Sequence, residues 1–334
     1  MKSSKQARIV GLGSYLPTQV LSNADLEKKV DTTDEWIVTR TGMKERRIAA
    51  PEESASSMGC LAAKAALDKA GMSPDDVDLI LVATLTPDYI FPSTACLIQS
   101  KIGAGSAAAM DIQAACSGYI YGLSTAKAFI ESGTYKNVLV VATEKLSSIV
   151  DYEDRNTSIL FGDGATACVI SDKGEGFFIG GITLCSDGKE PEILILPAGG
   201  SKNPATIETV KNKEHFIKMK GKELFKYAVR MMEDAVKKSL EKVGLTEEDI
   251  SYLVPHQANI RIIDALARRF KIGAEKIYLT IHKYGNTSAS SVGIALDELC
   301  VEKELKEGDN VVLCAFGAGL TAGAVVLTKG AVAK

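Results

Sequence analysis

Two parts of this chain repeat one another, and a duplicated chain has few folds open to it. Leu67-Asp68-Lys69-Ala70-Gly71-Met72-Ser73-Pro74-Asp75-Asp76-Val77 aligns with Leu240-Glu241-Lys242-Val243-Gly244-Leu245-Thr246-Glu247-Glu248-Asp249-Ile250, four positions identical, at an offset of 244 − 71 = 173. Lys101-Ile102-Gly103-Ala104 matches Lys271-Ile272-Gly273-Ala274 at 271 − 101 = 170. Asn137-Val138-Leu139-Val140 matches Asn310-Val311-Val312-Leu313 at 310 − 137 = 173. Chance likeness of one helix-turn-strand segment is the alternative, but a near-constant shift over this span points to duplicated halves, 1–174 and 175–334. Equivalent loops of two such halves meet at a pseudo-twofold. The offsets set Cys116 opposite Asn286 (286 − 116 = 170) and Ala83 opposite His256 (256 − 83 = 173).

Apolar runs of strand length alternate with helical stretches. The strands expected are 79–84, 107–113, 138–142, 166–171, 252–255, 277–281, 311–316 and 322–327; the helices are 55–70, 118–132, 222–243, 260–270 and 290–303. This alternation predicts an α/β fold with parallel sheets covered on both faces. The segment 186–215, rich in Gly, Pro, Lys and Glu, reads equally as a lid or as a passive surface excursion.

A net charge of −3 over 334 residues argues against a protein that coats nucleic acid. No apolar run reaches the roughly 18 residues of a membrane helix, and no apolar signal region precedes the strand-like Arg8–Gly13, so the expected location is the cytoplasm. The seven cysteines are odd in number and form no Cys-x-x-Cys, which speaks against a disulfide framework and a structural zinc site.

Three strand-to-helix junctions carry candidate chemistry. Cys116 follows one predicted strand and precedes a helix, where the helix dipole is expected to lower its pKa. His256, in Pro255-His256-Gln257-Ala258-Asn259, sits at another strand end. Asn286, in Tyr284-Gly285-Asn286-Thr287-Ser288, fits turn and capping chemistry as well, but stands opposite Cys116 in the repeat. Gly317-Ala318-Gly319 is a candidate source of backbone N–H groups for an oxyanion, whereas Phe161-Gly162-Asp163-Gly164 reads as a structural turn.

Together, Asp111-Ile112-Gln113-Ala114-Ala115-Cys116-Ser117-Gly118, His256-Gln257-Ala258-Asn259 and Gly285-Asn286-Thr287-Ser288 resemble the Cys-His-Asn motifs of the β-ketoacyl-acyl-carrier-protein synthase III family. Asp34-Glu35-Trp36-Ile37-Val38-Thr39-Arg40-Thr41-Gly42 is similar to that family's coenzyme A-contacting helix, and the likeness runs from about Ile9 to Leu327. It implies the thiolase fold, two similar halves in five α-β-α-β-α layers. It implies an acyltransferase that loads a short acyl group, acetyl by preference, from coenzyme A onto Cys116. Malonyl-acyl carrier protein then loses carbon dioxide and attacks the acyl-enzyme, giving a 3-oxoacyl-acyl carrier protein that initiates fatty-acid synthesis. His256 and Asn286 would donate to the enolate oxygen, and the backbone N–H groups of Cys116 and Ala318 to the oxyanion. Trp36 and Arg155 would sandwich the adenine of coenzyme A, Thr32 and Arg40 line the same site, and Asn259 contact the pantetheine. Phe91 would reach into the acyl pocket of the partner in a homodimer. Coenzyme A is then a substrate, and no permanent cofactor or metal is implied.

On the helix from Ile260, Ile262, Ile263, Leu266 and Phe270 share one face and Arg261, Arg268, Arg269 and Lys271 spread over the other. A solvated charged face is the plain reading. Beside His256, the same charges form a patch suited to an acidic carrier protein. The order Cys-His-Asn also fits a papain-like protease, but the Cys-Gly-Ser-Cys-Trp setting is missing and such proteases carry no duplication.

Overall fold

The structure is a computed structural model that describes residues 5–330. Its first half holds strands β1 (Arg8–Tyr15), β2 (Gln19–Ser22), β3 (Glu45–Ile48), β4 (Leu79–Ala83), β5 (Ala108–Ile112), β6 (Asn137–Glu144) and β7 (Gly164–Ser171). The second half holds β8 (Phe177–Ser186), β9 (Leu194–Ile195), β10 (Lys218–Met219), β11 (Tyr252–Pro255), β12 (Asn310–Gly317) and β13 (Thr321–Lys329). Nine of them join in the order β11-β12-β13-β8-β1-β7-β6-β4-β5. From β11 to β4 the order mirrors itself about the β8–β1 junction, with β5 added at one edge, and β4 and β6 recur 173 residues on as β11 and β12 (252 − 79 = 173; 310 − 137 = 173).

Alternation along the inner strands buries both faces and sorts the core into layers. In β6, Val138, Val140 and Ala142 point to one cluster and Leu139 and Val141 to another. The first cluster is central: it contains Tyr119, Ile120 and Leu123 of the helix Gly118–Ser132 and Val292, Leu296 and Leu299 of the helix Ser290–Glu302. Alternate residues of β12 do likewise, Val311 and Leu313 facing that cluster and Val312 and Cys314 an outer one built on the helices Gly221–Glu241 and Ile260–Phe270. The opposite outer layer is the helix Ala55–Ala70, with its Ser54 capping box, beside Thr94–Ile102. The architecture is therefore α-β-α-β-α, a thiolase-type arrangement.

Two expectations need correction. The sheet is mixed: β4 pairs in parallel with β5 and β6, and β11 with β12, but β1–β7, β6–β7, β12–β13 and β8–β13 are antiparallel. Short turns such as the one between β12 and β13 permit only antiparallel pairing. The predicted strand 277–281 is a single bridge, Leu253 with Ile277, followed by the short helix Ile281–Tyr284 that contains His282. The buried Gln257 side chain ends the strand: its Oε1 accepts from the backbone N–H groups of Thr280 at 2.9 Å and Ile281 at 3.1 Å. Segment 186–215 is less irregular than expected, with β9 paired to β10 and a short helix Ile207–Lys211. No helix among the described residues is long and apolar enough to cross a membrane.

Candidate active site

Cys116, His256 and Asn286 come from three distant loops and line one cavity, with Phe161, Asn259 and Phe316 in its walls. Cys116 lies in the tight turn Ala115–Ser117 between β5 and the helix Gly118–Ser132. Ala115 holds φ 45, a left-handed conformation that costs a residue with a Cβ roughly 1–2 kcal/mol. Neighbours hold the turn in place: the Thr321 hydroxyl donates to Ala114 O at 2.9 Å, and the Ser117 hydroxyl to Thr321 O at 3.1 Å. A Cβ on Gly317 would stand 2.6 Å from the Cys116 nitrogen, so only glycine lets the end of β12 run against the nucleophile turn. That contact sets the backbone leading to Ala318 beside the backbone of Cys116.

Burial decides the charge state of the sulfur. It pushes the Cys116 thiol up to about 12, against the expectation of a thiol lowered by its helix, while the Ser288 hydroxyl pulls the other way. The helix itself begins only at Gly118. Removal from water is the largest influence on the thiol, ahead of the Ser288 hydroxyl.

His256 follows β11, its backbone N–H donating to Cys314 O at 2.7 Å. Burial lowers the imidazole to about 4, so it is neutral at neutral pH. Its Nδ1 lies 2.7 Å from the Ser291 hydroxyl, which also accepts from the Gln257 backbone N–H at 3.4 Å.

Asn286 owes its position to Gly285, whose φ of 64 and ψ of −149 suit glycine alone. Its backbone is clamped from both sides, Asn286 N–H donating to Leu160 O at 2.9 Å and Gly162 N–H to Asn286 O at 3.0 Å. The side-chain Oδ1 accepts from Ser288 N–H at 2.9 Å, which leaves the amide NH₂ for the cavity.

The remaining candidates fall into separate groups. The Arg155 and Arg40 guanidinium groups lie 4.4 and 4.6 Å from the Trp36 ring centre, so the ring carries two cations. Arg155 also donates to Asp31 O at 2.7 Å. The hydroxyl of nearby Thr32 is buried without a hydrogen-bond partner among the described residues. Asn259 caps the helix Ile260–Phe270 by accepting from Arg261 N–H at 2.9 Å, and its side chain reaches the cavity. Arg261, Arg268, Arg269 and Lys271 are exposed, but Arg269 is paired with Glu233. Phe91 is 85% exposed and stands outside the cavity of its own chain, beside exposed Ile90 and Tyr89.

Ser288 and Gln257 stand in the sequence motifs without a role of their own, and Ser291 and Glu144 stand in none of them. Ser288 and Ser291 were hidden among serines suited to capping, and Gln257 and Glu144 act only through tertiary contacts. Asp163, read as part of a structural turn, is one: its carboxylate accepts from Ala49 N–H and the Ser147 hydroxyl.

Residues 110–188 match the family model described as 3-Oxoacyl-[acyl-carrier-protein (ACP)] synthase III, and 240–329 match its C-terminal model. The chain is 57% identical to Beta-ketoacyl-[acyl-carrier-protein] synthase III of Chlamydia pneumoniae over 98% of either chain. The crystal structure of 3-oxoacyl-[acyl-carrier-protein] synthase III from Aquifex aeolicus VF5 superposes with a TM-score of 0.88 at 50% identity, covering 96% of this chain and 99% of that one. The Thermus thermophilus structure gives 0.89 at 43% identity, covering 97% and 100%. A mirrored α-β-α-β-α fold, a cavity lined by Cys, His and Asn and this breadth of likeness place the chain in the 3-oxoacyl-[acyl-carrier-protein] synthase III family, condensing acyltransferases of fatty-acid synthesis.

Proposed function

We propose that Cys116, His256 and Asn286 carry out a decarboxylative Claisen condensation of a short acyl-coenzyme A, acetyl by preference, with malonyl-acyl carrier protein. The product is a 3-oxoacyl-acyl carrier protein. The observation that carries this reading is the convergence of one sulfur and two neutral donors on one cavity. Cys116 attacks the thioester and holds the acyl group; a thioester on cysteine is in turn a good acyl donor. The backbone N–H groups of Cys116 and Ala318 meet the oxyanion of that step.

Loss of carbon dioxide from the malonyl group leaves negative charge on its thioester oxygen. Asn286 offers its NH₂, because its Oδ1 is already occupied by Ser288 N–H. His256 offers Nε2–H. In this reading the Ser291 hydroxyl, 2.7 Å away, is the donor to Nδ1, which places the ring proton on Nε2. Held neutral by burial, the imidazole donates without bringing a charge that would hold the malonyl carboxylate back. The enolate then attacks the acyl-cysteine and expels the Cys116 thiolate.

The coenzyme A site in this reading is Thr32, Trp36, Arg40, Arg155 and Asn259, with coenzyme A a substrate and no permanent cofactor. Arg261, Arg268, Arg269 and Lys271 receive the acidic carrier protein. Phe91 closes the acyl pocket of a second copy in a cytoplasmic homodimer, which its outward position supports. Residues 1–174 and 175–334 are the duplicated halves, supported by the recurrence of strands at one offset. The test separates the half-reactions. Cys116→Ala loses acetyl labelling, whereas Asn286→Ala and His256→Ala keep labelling and lose malonyl decarboxylation by about 10²–10³. Labelling that survives Cys116→Ala would end this reading.

A further inference from the structure

Arg46, on β3, is the largest fully buried side chain among the described residues, and it has no part in the chemistry above. Its Nε donates to Ile159 O at 2.9 Å, Nη2 donates to the same carbonyl, and Nη1 donates to Asn23 Oδ1 at 2.6 Å. A carboxylate enters only one residue further on, where the Asn23 amide donates to Asp34 Oδ1 at 2.7 Å and to Met43 O at 2.9 Å. Burial pulls the guanidinium down to about 10, which leaves it charged at neutral pH. Holding a buried charge on a carbonyl and an amide is costly, and a well-packed apolar side chain of similar volume is often the more stable choice. Filling the core therefore does not explain an arginine here.

Its neighbours do. Ile159 directly precedes Leu160, whose carbonyl accepts the Asn286 N–H at 2.9 Å. Gly162, three residues after Ile159, donates its N–H to Asn286 O at 3.0 Å, and Phe161 and Asn286 form a single parallel bridge. Arg46 lies against both of these strips. A Cβ on Gly285 would meet Arg46 Cγ at 2.9 Å, and one on Gly162 would meet Arg46 Cβ at 3.3 Å. The guanidinium thus fixes the first strip through Ile159 O, and the stem of the same side chain packs beside Gly162 and beside the residue that leads into Asn286. β3 is stitched to both strips as well, Lys44 N–H donating to His282 O at 3.3 Å and Asp163 N–H to Arg47 O at 2.8 Å. Among the described residues the Asn286 side chain has one hydrogen bond of its own, from Ser288 N–H, so its aim depends on the backbone that carries it.

We propose that Arg46 is a positioning residue for Asn286. By gripping Ile159 O and packing against Gly162 and Gly285, it keeps the Asn286 NH₂ aimed at the oxygen that gains charge when the malonyl group loses carbon dioxide. Arg46 touches no reacting atom and moves no proton. The turn that carries Cys116 is held from other elements, by Thr321 and by the close approach of Gly317, so acyl loading does not share this dependence. The inference rests on the reading of Asn286 as a donor to the enolate.

Substitutions in the full chain, read in the two half-reactions at saturating substrate, test it. Arg46→Met keeps an apolar stem and removes every donor; Arg46→Lys restores a donor and the charge. Rates are expressed per Cys116 that acetyl-coenzyme A can label, so unfolded protein is not counted. Arg46→Met slows malonyl decarboxylation, read as carbon dioxide release, by about 10–10²-fold, the scale of a misplaced catalytic group, while acetyl loading stays within a few fold of wild type. Arg46→Lys recovers most of that loss. In an Asn286→Ala background Arg46→Met adds little, because the group through which it acts is gone. Equal loss of both half-reactions, the same factor lost with and without Asn286, or wild-type decarboxylation in Arg46→Met overturns the inference. So does failure of both Arg46→Met and the milder Arg46→Gln to give labelled Cys116, which assigns the arginine to the fold alone. Asn286→Ala that decarboxylates like wild type removes the reading of the site itself; a slow Asn286→Ala beside a fast Arg46→Met removes only the positioning role.

Discussion

Ser291→Ala removes one hydroxyl and nothing else from the helix Ser290–Glu302, and its effect follows from one 2.7 Å bond. In the proposed mechanism that hydroxyl donates to Nδ1 of His256 and keeps the ring proton on Nε2, facing the cavity. A neutral hydrogen bond of this kind contributes about 0.5–1.5 kcal/mol net. Its loss lowers the share of the productive tautomer, and with it malonyl decarboxylation, by about two- to tenfold at about 1.4 kcal/mol per decade. The fall is far smaller than that expected from deleting His256 itself, and acetyl loading of Cys116 is unchanged. Long-range ¹H–¹⁵N spectra read the tautomer directly, since the chain has only three histidines, His215, His256 and His282. The wild-type His256 shows the Nε2–H pattern at neutral pH, and the variant shows a mixture. An Nδ1–H pattern in the wild type, or unchanged decarboxylation in the variant, refutes the reasoning.

Acid weakens the fold through the same ring. His256 is moved from an ordinary 6.5 to about 4, so its contribution is full above pH 6.5 and is lost as pH falls toward 4, where the unfolded chain takes up a proton that the folded one refuses. Chemical unfolding should show the pH dependence of wild type exceeding that of His256→Gln by about 3 kcal/mol across that window; equal slopes would contradict it. Gly317→Ala drives a Cβ to 2.6 Å from the Cys116 nitrogen and should cost about 1–3 kcal/mol in thermal unfolding together with most acetyl loading. Arg268→Ala should weaken use of the carrier-protein substrate several-fold at low salt, with the gap closing at high salt. Arg269→Ala should matter less, because Glu233 already neutralises that guanidinium.

Much of the architecture was legible because it depends on period and repetition. The helices Ala55–Ala70, Gly118–Ser132 and Ile260–Phe270 run between the predicted limits, and the repeat offset anticipated β11 and β12 from β4 and β6. The failures share one cause, long-range contact. Residues 277–281 have strand composition, but Gln257 captures their N–H groups and turns the chain. The acidity of Cys116 was read from its neighbours in sequence, whereas burial by remote segments sets it. Cys116, His256 and Asn286 were visible as residue types at junctions, and the residues that orient them were not. Nothing local distinguishes Ser291 from Ser290, and Glu144 looks like the polar end of any strand until Thr84 and Thr86 are packed around it.

The most direct test is peptide mass spectrometry in two stages. Incubation with acetyl-coenzyme A alone should place an acetyl group on the peptide containing Cys116, and subsequent malonyl-acyl carrier protein should discharge it with formation of the acetoacetyl carrier. Acetylation of another cysteine such as Cys96 or Cys185, or an adduct on Cys116 that malonyl-acyl carrier protein does not remove, would contradict the account.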